Sequence, residues 1–288
     1  MKFVCSLAFS RSTDYCRIAR ACEDAGIDAV SLSDHVVHPR QIQSPYPYTP
    51  DGKPRWEPFT EWPDPFVAIG AMSSVTTRLN FLTSVYVLPM RNPFLAAKSV
   101  ATASVMSDGR VALGIGVGWM KDEFVLMGQN FHTRGKRTNE MIEIMRKLWA
   151  GGWVEYHGEL HDFDALEMSP APPSEIPIYV GGISEPALRR AAQLCDGWIS
   201  DLHDTAELAA IIEKLQTYRR DSERADRPFC VLASCSDAFD LGGYRRLEEI
   251  GVTHVITMPW VFYGAAPGQI DGQIDGIKRF AEDIISRQ

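Results

Sequence analysis

The sequence predicts an α/β protein whose parallel strands close into a (β/α)8 barrel, with insertions after the second and fourth strands. Three observations carry this reading. Apolar, strand-like runs alternate with amphipathic helical segments along the whole chain, and that alternation implies a parallel sheet. Eight strand–helix pairs fit into 288 residues, the repeat number and length of a closed barrel. With 45% hydrophobic residues the chain can fill both a barrel interior and a helical shell. Residues 1–288 read as one domain, with 37–63 as a lid insertion.

The elements follow in order. KFVCSLAF (residues 2–9) is the first strand. TDYCRIARACEDAG is an amphipathic helix, with Thr13 as N-cap and Gly26 as C-cap. DAVSLSDHV is the second strand and ends in polar residues. Residues 37–63 then break the rhythm, being rich in proline and aromatic residues without either period. Connections of that length are uncommon and are usually functional lids or linkers. Tyr46, Tyr48, Trp56, Phe59 and Trp62 favour a packed lid.

The alternation resumes with DPFVAIGAMSSVT (helix), LNFLTSVYVL (strand), NPFLAAKSVATASVMSDG (helix) and RVALGIGVG (strand). A long helix, TRGKRTNEMIEIMRKLWAGG, places Met141, Ile144, Met145 and Leu148 at helical spacing. WVEYHGELHDFDALEMSPAPPS reads as a hairpin and a proline-rich connector, the second insertion. Four pairs complete the series: IPIYVGG with EPALRRAAQLCD, GWISDL with TAELAAIIEKLQTYRRDSER, FCVLAS with GYRRLEEIG, and THVITMPWVF with IDGIKRFAEDIISR. GQIDGQIDG is a local duplication where a loop enters the last helix.

A formal net charge of −8 argues against non-specific binding to nucleic acid or anionic lipid, which needs a basic surface. The six cysteines form no Cys-x-x-Cys pair and read as reduced thiols of a cytoplasmic protein. No uncharged apolar run approaches the roughly 20 residues of a membrane-spanning helix. No metal site is expected. His35 and His38 lack an evident partner set on later strands, and His157 and His161 flank a glycine in the hairpin. Gly-x-Ser-x-Gly and Walker-type loops are absent.

In a barrel the site lies where the strands' C-terminal ends meet. Those ends supply Asp34 and His35; Ser84, Val85 and Tyr86; Gly116, Val117, Gly118 and Trp119; Gly181 and Gly182; Asp201; and Trp260. VALGIGVGWMKDEF invites comparison with the dinucleotide fingerprint. That fingerprint needs its third glycine where Trp119 stands, and an acidic residue at the end of the next strand about 20 positions on. Glu140, at that distance, falls inside a helix. The glycines instead let a flat ring approach bare backbone. Gly114 fits relief of crowding inside the barrel, whereas Gly116 to Trp119 fit ligand contact. Gly181 and Gly182, where a strand turns into a helix, suit a phosphate, with Ser184 and Glu185 equally readable as cap residues.

Taken together, LSDHVV, LTSVYVLPMRNPFLAAKSVATASVMSDGRVALGIGVGWMKDEF and IPIYVGGISEPALRRAAQLCDGWISD resemble the bacterial luciferase-like family, most closely its F420-dependent oxidoreductase branch. The resemblance implies a deazaflavin (coenzyme F420) or, alternatively, FMN at the C-terminal mouth of the barrel. It implies that Asp34 and His35 border the ring and that the Ser84–Val85 bond is a cis peptide forming a bulge behind it. It implies that Gly116, Val117, Gly118 and Trp119 line the ring edge and ribityl chain, and that Gly181, Gly182 and Ser184 hold the phosphate. Sugar-phosphate dehydrogenases of this branch carry a proton-donating glutamate where this chain has Trp119. A tryptophan there points away from sugar phosphates and towards a small apolar or aromatic substrate.

The implied reaction is hydride transfer at the cofactor's C5. His35 is the candidate proton carrier, since an imidazole ordinarily titrates near neutrality; a structural histidine beneath the ring is the other reading. Arg40, Lys53 or Arg55 of the lid would receive the polyanionic tail of a deazaflavin. An FMN-dependent monooxygenase and a non-catalytic cofactor carrier on the same barrel are the alternatives. NPFLAAKSVATASVMS could form a homodimer face, and packing on its own barrel explains it equally well.

Overall fold

The computed structural model describes residues 1–288. Eight strands pair in parallel, in chain order: β1 (Lys2–Ser6), β2 (Ala29–Leu32), β3 (Asn80–Thr83), β5 (Val111–Gly116), β8 (Ile178–Gly181), β9 (Gly197–His203), β10 (Cys230–Cys235) and β11 (His254–Thr257). β11 returns to pair with β1, placing Val255 beside Phe3 and Ile256 beside Val4, so the sheet has no free edge. The predicted (β/α)8 barrel is therefore closed.

Its helices are α1 (Tyr15–Asp24), α2 (Pro65–Ser73), α3 (Pro93–Met106), the short α4 (Lys121–Leu126), α5 (Arg134–Ala150), α6 (Glu185–Leu194), α7 (Thr205–Arg220), α8 (Leu241–Glu249) and α9 (Ile270–Asp283). A two-residue strand, β4 (Tyr86–Val87), continues β3 beyond the Ser84–Val85 bond. The second insertion is an antiparallel hairpin of β6 (Val154–His157) and β7 (Asp162–Leu166), as the sequence predicts.

Two apolar layers hold this arrangement. Val4, Ala29, Leu82, Tyr179, Ile199, Leu232 and Ile256, from seven different strands, fill the barrel interior. A larger cluster lies between sheet and helices, and Met141, Ile144, Met145 and Leu148 of α5 are fully buried in it. Helix starts follow side-chain chemistry: Asp64 accepts from the Phe66 and Val67 N–H groups, and Asn92 from those of Phe94 and Leu95. Each is followed by proline at the first helical position, where the missing N–H costs nothing.

Three local expectations are corrected. Thr13 does not cap α1; it lies in a 3-10 turn (Ser12–Asp14) whose Ser12 N–H and hydroxyl bond Glu61 of the lid. Gly26 does follow the helix, with φ +76°. The last strand stops at Thr257, because Pro259 has no N–H for a ladder, and residues Pro259–Tyr263 form a 3-10 turn. Trp260 consequently turns into the core against Gly276 of α9, away from the barrel mouth. α9 begins at Ile270, so most of the GQIDGQIDG duplication is helical. No helix is long and apolar enough to cross a membrane.

Candidate active site

The C-terminal ends of the barrel strands enclose a cavity of about 1020 Å³. Asp34, His35, Ser84, Val85, Gly116, Val117, Gly118, Trp119, Gly181, Gly182 and Ser184 all line it. Of the other strand-end residues, Asp201 joins them, whereas Tyr86 is buried behind the wall against Phe66.

The wall is built around the Ser84–Val85 bond, which is cis as the resemblance implies. Ser33 donates its hydroxyl to the Ser84 carbonyl at 3.1 Å. The Val85 side chain lies between two strand-end glycines: a methyl group on Gly116 or Gly181 would come within 2.7 or 3.0 Å of it. Gly118 takes φ +81°, and a methyl there would strike Phe124 at 2.6 Å and Val87 at 2.7 Å. These glycines make room for the bulge and for the turn into α4. Gly114 lies deeper; its space is taken by the Thr83 carbonyl, in keeping with crowding inside the barrel.

Asp34 is tied into this wall. One carboxylate oxygen accepts from Val87 N–H at 2.9 Å and the other from Arg91 at 2.6 Å, and Arg91 lies over the Tyr86 ring. Burial pushes the Asp34 carboxyl up, against the pull of Arg91 and the Val87 N–H. With both oxygens engaged, Asp34 fixes β4 beside the bulge.

His35 meets a residue the sequence did not place in the site. Its Nδ1 lies 2.9 Å from Glu123 Oε2, while Glu123 Oε1 accepts from the Val36 and Val37 N–H groups at 2.8 and 3.3 Å. Glu123 is 1% exposed. Burial drives its carboxyl up, but the hydrogen bond and charge of His35 and the two N–H groups outweigh it, so the group titrates below its ordinary value. The carboxylate is therefore an acceptor, and Nδ1 must carry the proton. Nε2 is the nitrogen left facing elsewhere.

The lid packs as the aromatic content predicts. Trp56 and Trp62 approach the His35 ring at 4.8 and 5.5 Å between centroids, and Tyr46 approaches Trp119 at 5.0 Å. Phe59 is the exception, 97% exposed at the outer surface. Arg55, expected as a free cation for an anionic tail, is committed: it forms a bidentate pair with Asp201 of β9, both contacts 2.8 Å, and also donates to the Tyr48 carbonyl. That pair straps the lid across the mouth.

At the far side, Gly182 (φ +112°) turns β8 towards α6. Ser184 occupies the N-cap position of α6, and its hydroxyl makes no capping bond. Arg134 lines the same cavity, donating to the Gly118 and Phe131 carbonyls over the Phe131 ring at 3.7 Å. It has no carboxylate partner. Sequence reading took Arg134 for the first turn of a helix, which it also is.

Comparison with known proteins fits this geometry. Residues 10–238 match the family described as luciferase-like monooxygenase. An uncharacterized protein of Mycobacterium tuberculosis is 37% identical over 289 residues, covering 100% of both chains. An F420-dependent glucose-6-phosphate dehydrogenase of Gordonia bronchialis is 30% identical over 221 residues, covering 73% of this chain and 61% of that protein. Among solved structures, an F420-dependent secondary alcohol dehydrogenase in complex with an F420–acetone adduct superposes with a TM-score of 0.76 at 19% identity, each chain covered in full (100%), a likeness of fold. By sequence and by fold, this chain belongs to the luciferase-like monooxygenase family, with F420-dependent enzymes among its relatives.

Proposed function

We propose that the protein is an F420-dependent oxidoreductase that moves a hydride between the deazaflavin and an organic substrate with an apolar or aromatic reactive end. The observation that carries this is the His35–Glu123 pair, set beside the cis bulge and beneath the aromatic lid.

The residues present fit such a cofactor. Val85 and bare glycine backbone offer a flat wall for a ring, while the Ser184 hydroxyl and the unpaired Arg134 suit a phosphate. The buried Nε1 of Trp62 has no hydrogen-bond partner in the cavity wall. When bound, the deazaflavin supplies hydride exchange at its C5.

The chain's own residues do the rest. If the substrate is an alcohol, its carbon loses a hydride to the cofactor and its hydroxyl loses a proton to His35 Nε2; reduction of the carbonyl returns both. Glu123 fixes the tautomer that leaves Nε2 able to accept. The lid excludes water and holds the substrate over the ring. Trp119 closes the pocket with an apolar face where the related sugar-phosphate enzymes keep an acid.

An FMN-dependent monooxygenase is the second reading, and one observation favours it: Arg55, paired with Asp201, is not free for a polyanionic tail. Titration of the purified protein with each cofactor separates them. Deazaflavin should bind with a Kd of about micromolar and FMN at least about tenfold more weakly. Micromolar FMN binding without deazaflavin binding overturns the proposal. A homodimer is supported by the exposed Val67, Leu95 and Met106 of α2 and α3, and a reducing, cytoplasmic setting by six unpaired cysteines.

A further inference from the structure

The lid does more than cover the cavity. It leaves the barrel after β2 and is pinned by Arg55 to Asp201 on β9, four strands further round the ring of eight. β2 and β9 are diametrically opposed, so the strap divides the mouth in two. On one side lie the ends of β3, β5 and β8, with the bulge, the glycines and Ser184. On the other lie the connections after β10, β11 and β1.

The two halves differ in chemistry. The first is bare backbone and polar atoms. The second is walled by Phe9, Phe239, Val261 and Phe262, with Leu202 beside the strap, all lining the same cavity. These side chains are 37 to 53% exposed, unlike the half-buried aromatic residues of the lid. Phe239 and Phe262 approach within 5.7 Å between ring centroids. Large apolar side chains gathered around one opening, and left in contact with water, mark a surface that a ligand covers.

We propose that this second half holds an extended apolar body of the substrate, which passes under the strap to place its alcohol or carbonyl end at His35. The assignment of the reactive end rests on the hydride-transfer reading; the assignment of the apolar half does not. Phe239, Val261 and Phe262 are thus specificity-determining residues, and the substrate is an alcohol or carbonyl compound too long to lie wholly beneath the lid.

The test titrates the cofactor-free protein with 2-butanol, 2-hexanol, 2-octanol and 2-decanol, read by tryptophan fluorescence. Affinity should rise about threefold or more for each added methylene until the half-mouth is filled. A Phe239→Ser/Phe262→Ser protein should lose that dependence while its thermal melt is kept. If it melts early, Val261→Asp at a half-exposed position is read in its place, with the same expected loss. Binding that ignores chain length, no binding at all, or a dependence unchanged in a folded variant overturns the proposal. The cofactor titration is separate: failed deazaflavin binding with chain-length dependence intact removes the hydride-transfer reading and leaves the apolar half standing.

Discussion

Glu123→Gln should leave the protein folded and lower turnover by about 10²- to 10⁴-fold, measured as kcat/KM on a deazaflavin-loaded sample. The amide oxygen can still accept from the Val36 and Val37 N–H groups, so those buried donors stay satisfied. The change falls on His35. A carboxylate accepts from Nδ1–H and leaves Nε2 free to take a proton; an amide –NH₂ in its place donates to Nδ1 and moves the ring proton to Nε2. A neutral imidazole in that tautomer cannot act as a base towards the cavity. Glu123→Ala is a harsher change, leaving the two N–H groups unpaired at about 1–3 kcal/mol each. If Glu123 were only structural, the Gln protein would keep both its fold and its rate.

The same pair sets a pH dependence. Glu123 titrates below its ordinary 4.5 when folded, so its contribution to stability is complete above that value. The contribution is lost as pH falls through the lower folded value. The Gln variant should therefore show a flatter acid limb in thermal melts below pH 4.5.

Gly114→Ala should be the most destabilising single methyl in the barrel. The added carbon would sit 1.9 Å from the Thr83 carbonyl oxygen and 2.5 Å from Ile199 Cδ1. Ile199 could rotate, but the carbonyl belongs to β3, and Thr83 is bound to Gly114 in both directions: its hydroxyl donates to the Gly114 carbonyl at 2.7 Å and accepts from its N–H at 3.0 Å. Relief therefore requires β3 and β5 to part just below the bulge. We expect a loss of about 3 kcal/mol or more, a fall in Tm of about 6 °C or more, and weakened cofactor binding through the displaced Ser84–Val85 segment. Gly116→Ala meets only the Val85 side chain and should cost less stability. Equal melting temperatures for the two variants would contradict this reading.

The fold was legible because its signals are local and repeated. Short apolar runs and capped amphipathic helices each declare themselves within about a dozen residues, and β1 to β11 pair as neighbours in that order. What misled were local rules overridden by tertiary contacts. Thr13 looks like a cap, but the lid's Glu61 draws Ser12 into a turn first. Trp260 reads as a strand end until Pro259 stops the ladder.

The site divides along the same line. Residues at strand ends converge by topology alone, so Asp34, His35, the bulge and the glycines could be read from motifs. Glu123 could not: its partner lies 88 positions away and is met only because the turn after β5 folds back over the end of β2. The Arg55–Asp201 strap, 146 positions apart, was hidden for the same reason, and Arg55 was expected to face solvent. Carboxylate–imidazole and carboxylate–guanidinium pairs between distant segments leave no periodicity to detect.

The most direct measurement is a crystal structure of the protein grown with oxidised deazaflavin. The expected density places the ring against Val85 and the Gly116–Trp119 backbone, the phosphate at Ser184 and Arg134, and C5 on the side open to His35 Nε2. A ring found instead between Phe239 and Phe262, or one with C5 turned away from His35, would contradict the assignment of the two halves and of the proton carrier together.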